Sequence, residues 1–413
     1  MVVPARLTAS VRATGEGHRV TNLELFFDLV FVFAFTQVNG LVAEDGSARG
    51  AVRGLLLLAI LWWAWCSYAW LGNQAQADEG VLRATMIVAM AAVFAASLAI
   101  PEAWHDRPGG LPAPMVLAVA VVVVRGLHLL VYAVAAGGDT ELRRQLARNA
   151  APMTMMAILL VLGALVQGGE RTLLWLVALA VDYSGVYLVG ASGWRMPAPG
   201  HFAERHGLIV LVALGESIVS VGAGAGRTPV SAPILLVMAL GLALNVTLWW
   251  AYFDVLALAA EHALQARTGV QRIWLARDSF TYLHFPLVAG VLATALALKM
   301  TVEDISVPGH HLSEAPRLLP AVCLALGPAL YLAALSAIRW RNLGRPNVRR
   351  LVVAALLLAL VPALRAMPAL GALGLTATAL ACLITVEAVR NRALRDAVRH
   401  HDVHPGLSVD RGL

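Results

Sequence analysis

Charged residues are scarce in this chain: they make up 14% of 413 residues, against 59% hydrophobic ones. Soluble globular domains carry about 25% charged residues, so this composition cannot cover a water-facing surface of ordinary kind. Cysteine is scarcer still. The three present, Cys66, Cys323 and Cys382, all lie inside apolar stretches, which excludes a disulfide framework and a zinc-type spacing and predicts ordinary buried thiols. No apolar signal-peptide core precedes residue 20, and the first apolar run has no small-residue cleavage site, so that run is expected to remain as an anchor. Serine–histidine, His-Glu-x-x-His and glycine-rich phosphate motifs are also lacking. The sequence therefore predicts neither an enzyme nor a bound cofactor or metal.

What is abundant is apolar sequence in membrane-length pieces. Spanning roughly 30 Å of hydrocarbon at 1.5 Å per residue takes about 20 residues. Runs suited to this fall at 23–43, 51–72, 81–100, 113–136, 151–167, 172–192, 205–223, 232–258, 279–300, 317–338, 350–364 and 368–388, the fifth and eleventh being short. The reading is an all-α polytopic membrane bundle of about twelve helices.

The net charge of +6 does not point to nucleic acid, because the basic residues are distributed as a topology signal. With the N-terminus inside, 22 of the 31 lysines and arginines fall in inside segments, 8 fall outside and Arg125 lies within a span. That bias places both termini in the cytoplasm by the positive-inside rule. The expected partner is the lipid bilayer, with no nucleic acid, and the sequence leaves an oligomer open.

The two halves resemble each other. Leu61-Trp62-Trp63-Ala64-Trp65 in the second span matches Leu248-Trp249-Trp250-Ala251-Tyr252 in the eighth, and Glu24 with Glu204, Arg83 with Arg277 and Arg148 with Arg349 pair in the same order. Six spans per half give both halves one orientation, so the expectation is two tandem six-helix repeats (6+6) related about the membrane normal. Recurrent interfacial tryptophans and basic loops would mimic part of this pattern. The halves are 1–200 and 201–390, joined through the turn-rich stretch from Trp194 to Gly200, with 391–413 as a charged cytoplasmic tail.

Polar residues inside the spans are the candidates for function. A carboxylate at a helix centre costs roughly 2.5–3.5 kcal/mol on insertion scales. Glu24 stands three residues after Thr21, the spacing of a capping box. Asp28, about 9 Å beyond the cap, is too deep for that role and shares a face with Glu24, with Thr36 and Gln37 further along the span. Counted from the cytoplasmic ends, Asp28, Asp254 and His284 lie at about 6–9 Å, His128 at about 12 Å, and Arg125, Asp182 and Glu216 at about 15–16 Å. Four carboxylates thus face one fixed cation, Arg125, which is expected to pair with Asp28 or Asp182. Excess buried carboxylate calls for protons, a bound cation or water. In Gly215-Glu216-Ser217, the glycine is expected to permit close helix approach, with Ser217 and Ser220, and Asn245 and Thr247 of the next span, as further oxygen ligands for a hard cation. The bland alternative for each residue is a helix-packing hydrogen bond. His310 and His311 in an outside loop, and His400, His401 and His404 in the tail, read as solvated surface because no framework fixes a metal geometry.

The run LELFFDLVFVFAFTQV (with Glu24, Phe26, Phe27 and Asp28), together with HFAERHGLIVLVALGES at 201–217 (with Glu204, Arg205, Gly215 and Glu216), resembles the bacterial low temperature requirement protein A (LtrA) family over nearly the whole chain. The resemblance implies a multi-pass protein of the bacterial cytoplasmic membrane, in a family named for a cold-growth phenotype, and it supplies no substrate and no catalytic residues. A second, local resemblance joins Glu24-x-Phe26-x-Asp28-x-x-Phe31-x-x-Ala34-x-Thr36 to the first helix of the endolysosomal and bacterial potassium-channel family with a Phe-Ser-Asp motif. Phe27 replaces the serine, and aligning Glu24 with Glu204 puts Leu208 where Asp28 should recur.

The leading expectation is a transporter or channel for a small cation or proton-coupled solute, with Asp28 and Glu216 as its acidic elements. A major-facilitator-type carrier would have a basic loop after the second span, and the stretch from Asn73 to Gly80 has none. An intramembrane lipid-modifying enzyme would use His128 and His284 near Asp182 and Asp254 for acid–base work. A non-transporting factor for cold growth is the remaining class.

Overall fold

The computed structural model describes residues 14–15, 17–76, 80–191, 193–225, 229–305, 315–390 and 392. Those residues are all-α, without strands. Among the described residues, eleven helices are long and apolar enough to cross a membrane. His310, His311, His400, His401, His404 and the tail beyond 392 lie outside the described residues.

The chain forms two compact units, Met1–Val212 with Arg267–Ala276, and Ala213–Ala266 with Arg277–Leu413. The first contains α1 (Asn22–Asp45), α2 (Ala48–Gln74), α3 (Gly80–Ala99), α4 (Ala113–Ala135), α5 (Thr140–Leu165), α6 (Gly168–Val189), the start of α7 (Pro199–Ala225) and, after α8 (Ala232–Phe253) and α9 (Leu256–Gln265), the short α10 (Gly269–Leu275). The second contains the rest of α7, α8, α9, α11 (His284–Ile305), α12 (Leu318–Leu343), α13 (Val348–Ala359), α14 (Val361–Leu364) and α15 (Ala369–Arg390). The boundary between units falls inside α7, not in the turn-rich stretch that precedes it.

α1 begins where the sequence says it should. Thr21 and Glu24 form the capping box, the Glu24 backbone N–H donating to Thr21 Oγ1 at 3.3 Å and the Thr21 backbone N–H to Glu24 Oε2 at 2.9 Å. The helix ends at Gly46, whose φ of +63° is left-handed backbone that glycine adopts without strain. Phe27, Phe31 and Phe35 turn inward, while Leu25, Phe26 and Leu29 are exposed on the chain, as suits a face covered by hydrocarbon.

Small residues set the close helix contacts. A Cβ on Gly185 of α6 would run into the Pro152 ring of α5, and Trp175 lies against Gly163 with its indole donating to Leu160 O at 3.0 Å. The C-terminal carbonyls of α5, which have no partner within their helix, accept from Arg171: Gly163 O at 3.2 Å and Val166 O at 2.7 Å. In the second unit a Cβ on Gly290 of α11 would sit 2.7 Å from Gly327 O of α12, the small-residue packing expected in a bundle that lipid cannot drive together hydrophobically. A π-helical stretch, Ala276–Tyr282, precedes α11.

Two sequence expectations change. The run at 350–364 is not one straight span: α13 stops at Ala359 and α14 is a single turn containing Pro362, because proline lacks the N–H and crowds the carbonyl four residues back. Cys66 and Cys323 are buried, but Cys382 is exposed on the chain; its cover would be hydrocarbon, which periodicity cannot distinguish from protein.

Candidate functional site

The first unit buries a network of charged side chains at the N-terminal ends of α1 and α7. α7 begins at Pro199, six residues before the expected span, which brings His201 and Arg205 onto one helical face at i, i+4. Glu24 and Asp28 of α1 present the same spacing. Arg205 is fully buried and joins the two carboxylates, Nη1 donating to Glu24 Oε1 at 2.9 Å and Nη2 to Asp28 Oδ1 at 2.7 Å. His201 Nε2 lies 3.1 Å from both Glu24 oxygens.

α2 supplies the rest of the cage. Trp65 Nε1 donates to Asp28 Oδ1 at 2.7 Å, and the Arg205 guanidinium lies 5.6 Å from the Trp65 ring centroid, a cation–π placement. The His206 ring meets Trp65 edge-on at 4.9 Å. Gly72 completes the fit, since a Cβ there would lie 2.5 Å from Glu24 Oε1. Asn73 fixes the start of α7, its Nδ2 donating to Ala198 O at 2.5 Å.

The charge count is unequal. Glu24 and Asp28 oppose one guanidinium, so with neutral histidines the network holds one surplus negative charge. Asp28 Oδ2 is shielded from solvent and has no hydrogen-bond partner among the described residues. Removing one member of such a set is costly, because it strands a buried charge.

Arg205 corrects the expectation that Arg125 is the single fixed cation of the acidic layer. Of the two partners expected for Arg125, the structure selects Asp182: Nη2 donates to Asp182 Oδ2 at 2.7 Å, and Nη1 donates to Ser67 Oγ. A narrow cavity beside this pair is lined by Trp63, Val121, Met156 and Leu160. His128 is buried between Tyr68 and Tyr132, with ring centroids 6.2 and 5.5 Å away, and neither of its nitrogens has a hydrogen-bond partner among the described residues.

The remaining candidates lie in the second unit. Glu216 is fully buried and accepts from Ser220 Oγ at 2.5 Å, and Ser217 is fully buried beside it. The close helix approach expected at Gly215 is absent among the described residues: apart from its chain neighbours and its own helix backbone, no atom comes within 4 Å of where its Cβ would be. Asn245 Nδ2 and Thr247 Oγ1 donate to carbonyls of their own helix, Gly241 O and Leu244 O. His284 bonds to Tyr252 Oη at 2.9 Å and to Ser279 O at 2.8 Å. Asp254 lines a small cleft with Arg350 and Glu387, the latter two forming an ion pair at 2.7 Å. Of the motif residues, Phe27 is fully buried and Phe26 is 58% exposed, whereas exposed Glu204 accepts from the Val20 backbone N–H at 3.2 Å.

Sequence reasoning missed the roles of Arg205, His201 and Trp65. The available signal was the matching i, i+4 pair of acidic residues on α1 and basic residues on α7.

The family model for the bacterial low temperature requirement A protein (LtrA) matches residues 19–385. The chain belongs to the LtrA family. The match takes in both halves of the buried network, Glu24 and Asp28 with His201 and Arg205. An uncharacterized protein of Rhizobium meliloti (strain 1021) is 30% identical over 322 residues, covering 75% of this chain and 74% of that protein. No solved structure matches the chain. This LtrA-family protein is thus a membrane protein of many apolar helices in which three motif residues, Glu24, Asp28 and Arg205, meet in one buried ionic network in the first unit.

Proposed function

We propose that this LtrA-family protein is a transporter or channel for a small cation or a proton-coupled solute, in the bacterial cytoplasmic membrane with both termini inside. One observation carries the proposal: two carboxylates are held against a single guanidinium in the apolar interior, and Asp28 Oδ2 has no partner among the described residues. A surplus charge in hydrocarbon is stable only if a proton or a cation shares the site, and a site that holds one ion loosely is a step on a path. Asp28, in the first unit, and Glu216, in the second, are each proposed as an acidic element of transport. The 6+6 repeat fits this reading if α13 and α14 together make a bent twelfth crossing.

The enzyme alternative has less support, because the sequence carries no serine–histidine, His-Glu-x-x-His or glycine-rich phosphate motif. The test is flux into liposomes containing the purified protein. Wild type should pass cations or protons above the level of protein-free liposomes, and a folded double variant Asp28→Asn, Glu216→Gln should not; equal flux in the two proteins contradicts the proposal.

A further inference from the structure

His18, Glu24 and His201 form a second feature that transport does not require. One donor atom from each lies within 4.8 Å of the others. They are drawn from three places: the segment ahead of α1, the first turn of α1 and the first turn of α7. No spacing in the sequence could therefore announce them.

The geometry is close to that of a metal site. A tetrahedral ion at about 2.0–2.1 Å from each donor needs donors roughly 3.3 Å apart, and His201 Nε2 already lies 3.1 Å from the Glu24 oxygens. The His18 ring is 5.3 Å from the His201 ring, tilted by 46°. His18 Nε2 is shielded from solvent without a hydrogen-bond partner among the described residues, so it could ligate at no cost in existing bonds, whereas His201 Nε2 would exchange its hydrogen bond to Glu24 for a shared ion. Room for the carboxylate comes from Gly72, where any Cβ would meet Glu24 Oε1.

The outer contacts suit the role as well. Thr21 N–H on Glu24 Oε2 and Arg205 on Oε1 fix the orientation of the carboxylate, as outer-shell donors do for ligating carboxylates. Arg205 and the two helix N-termini oppose a cation. Against them stand Glu24 and Asp28. Two imidazoles and one carboxylate select a borderline transition metal of the zinc class over alkali or alkaline-earth ions.

We propose that His18, Glu24 and His201 bind one zinc-class divalent ion, with water as the fourth ligand, and that the ion ties the segment ahead of α1 to α7. The site shares Glu24 with the network on which the transport reading rests, and its metal-binding readout does not depend on flux. The test uses tag-free full-length protein in detergent, stripped with chelator and titrated with Co²⁺ and Zn²⁺. Wild type should bind one ion per chain and show the intense visible absorption of tetrahedral Co²⁺. His18→Ala removes no hydrogen bond from either carboxylate or from Arg205, so its thermal unfolding in chelator should match wild type while its Zn²⁺ affinity falls by more than the about 10- to 100-fold that losing an outer-shell partner costs. His201→Gln, which keeps a hydrogen-bonding group beside Glu24, should abolish the Co²⁺ band. No tetrahedral band in wild type overturns the proposal, and so does Zn²⁺ binding that survives His18→Ala, which would assign it to other histidines such as His400, His401 and His404.

Discussion

Arg205 is what lets two carboxylates sit together at the start of α1. Without it, Glu24 and Asp28 would be like charges in the bundle interior, with Trp65, Thr21 and His201 as their polar partners among the described residues. Arg205→Met should therefore destabilise by about 3–5 kcal/mol, the range for stranding a buried charge. Asp28→Asn should cost clearly less, because the Glu24–Arg205 pair survives. Chemical unfolding of both variants in micelles checks the order, and an equal cost would mean that Asp28 and Arg205 do not interact as the distances indicate. At this scale the sequence was legible for the acidic half of the network and for the capping box, since both lie on one helix and follow its period. The basic half was not, because hydropathy assigned Arg205 to the cytoplasmic edge of its span. The fold instead buries it against Glu24 and Asp28 of α1.

Among the elements, α1, α2 and α7 meet at Gly72, where the absent side chain is filled by the Glu24 carboxylate. Gly72→Ala adds a single methyl group, which gains helix propensity but must displace the carboxylate or the helix. The expected outcome is a net loss of about 1–3 kcal/mol, the usual cost of overpacking, with Trp65 fluorescence altered because its indole bonds to Asp28. A variant as stable as wild type with an unchanged spectrum would show that the site has slack. Eleven of the twelve expected spans were legible as helices from length and apolarity alone. The exception, 350–364, shows what such a reading omits: its hydropathy is continuous, yet Pro362 divides the backbone into α13 and α14.

For the molecule as a whole, the arginine bias and the 6+6 reading make a joint prediction about topology. If α13 and α14 together cross the membrane, reporters fused at the N-terminus and after residue 413 should both report the cytoplasm; a C-terminal reporter active only outside would leave eleven crossings. The tail itself lies outside the described residues, so its side is a property of the spans that precede it. Both matched runs of the LtrA family contribute to the network on α1 and α7, which is why the family was legible from sequence while the pairing was not: residues 177 positions apart, such as Asp28 and Arg205, are joined only by the fold. The most direct test of the central claim, that the surplus charge beside Arg205 binds the moving ion, is cation and proton flux in liposomes for Asp28→Asn alone, at matched protein content and verified folding. The charge-neutral variant should fall to the level of protein-free liposomes while wild type conducts; flux that persists undiminished would make Asp28 a structural ion-pair partner and contradict the account.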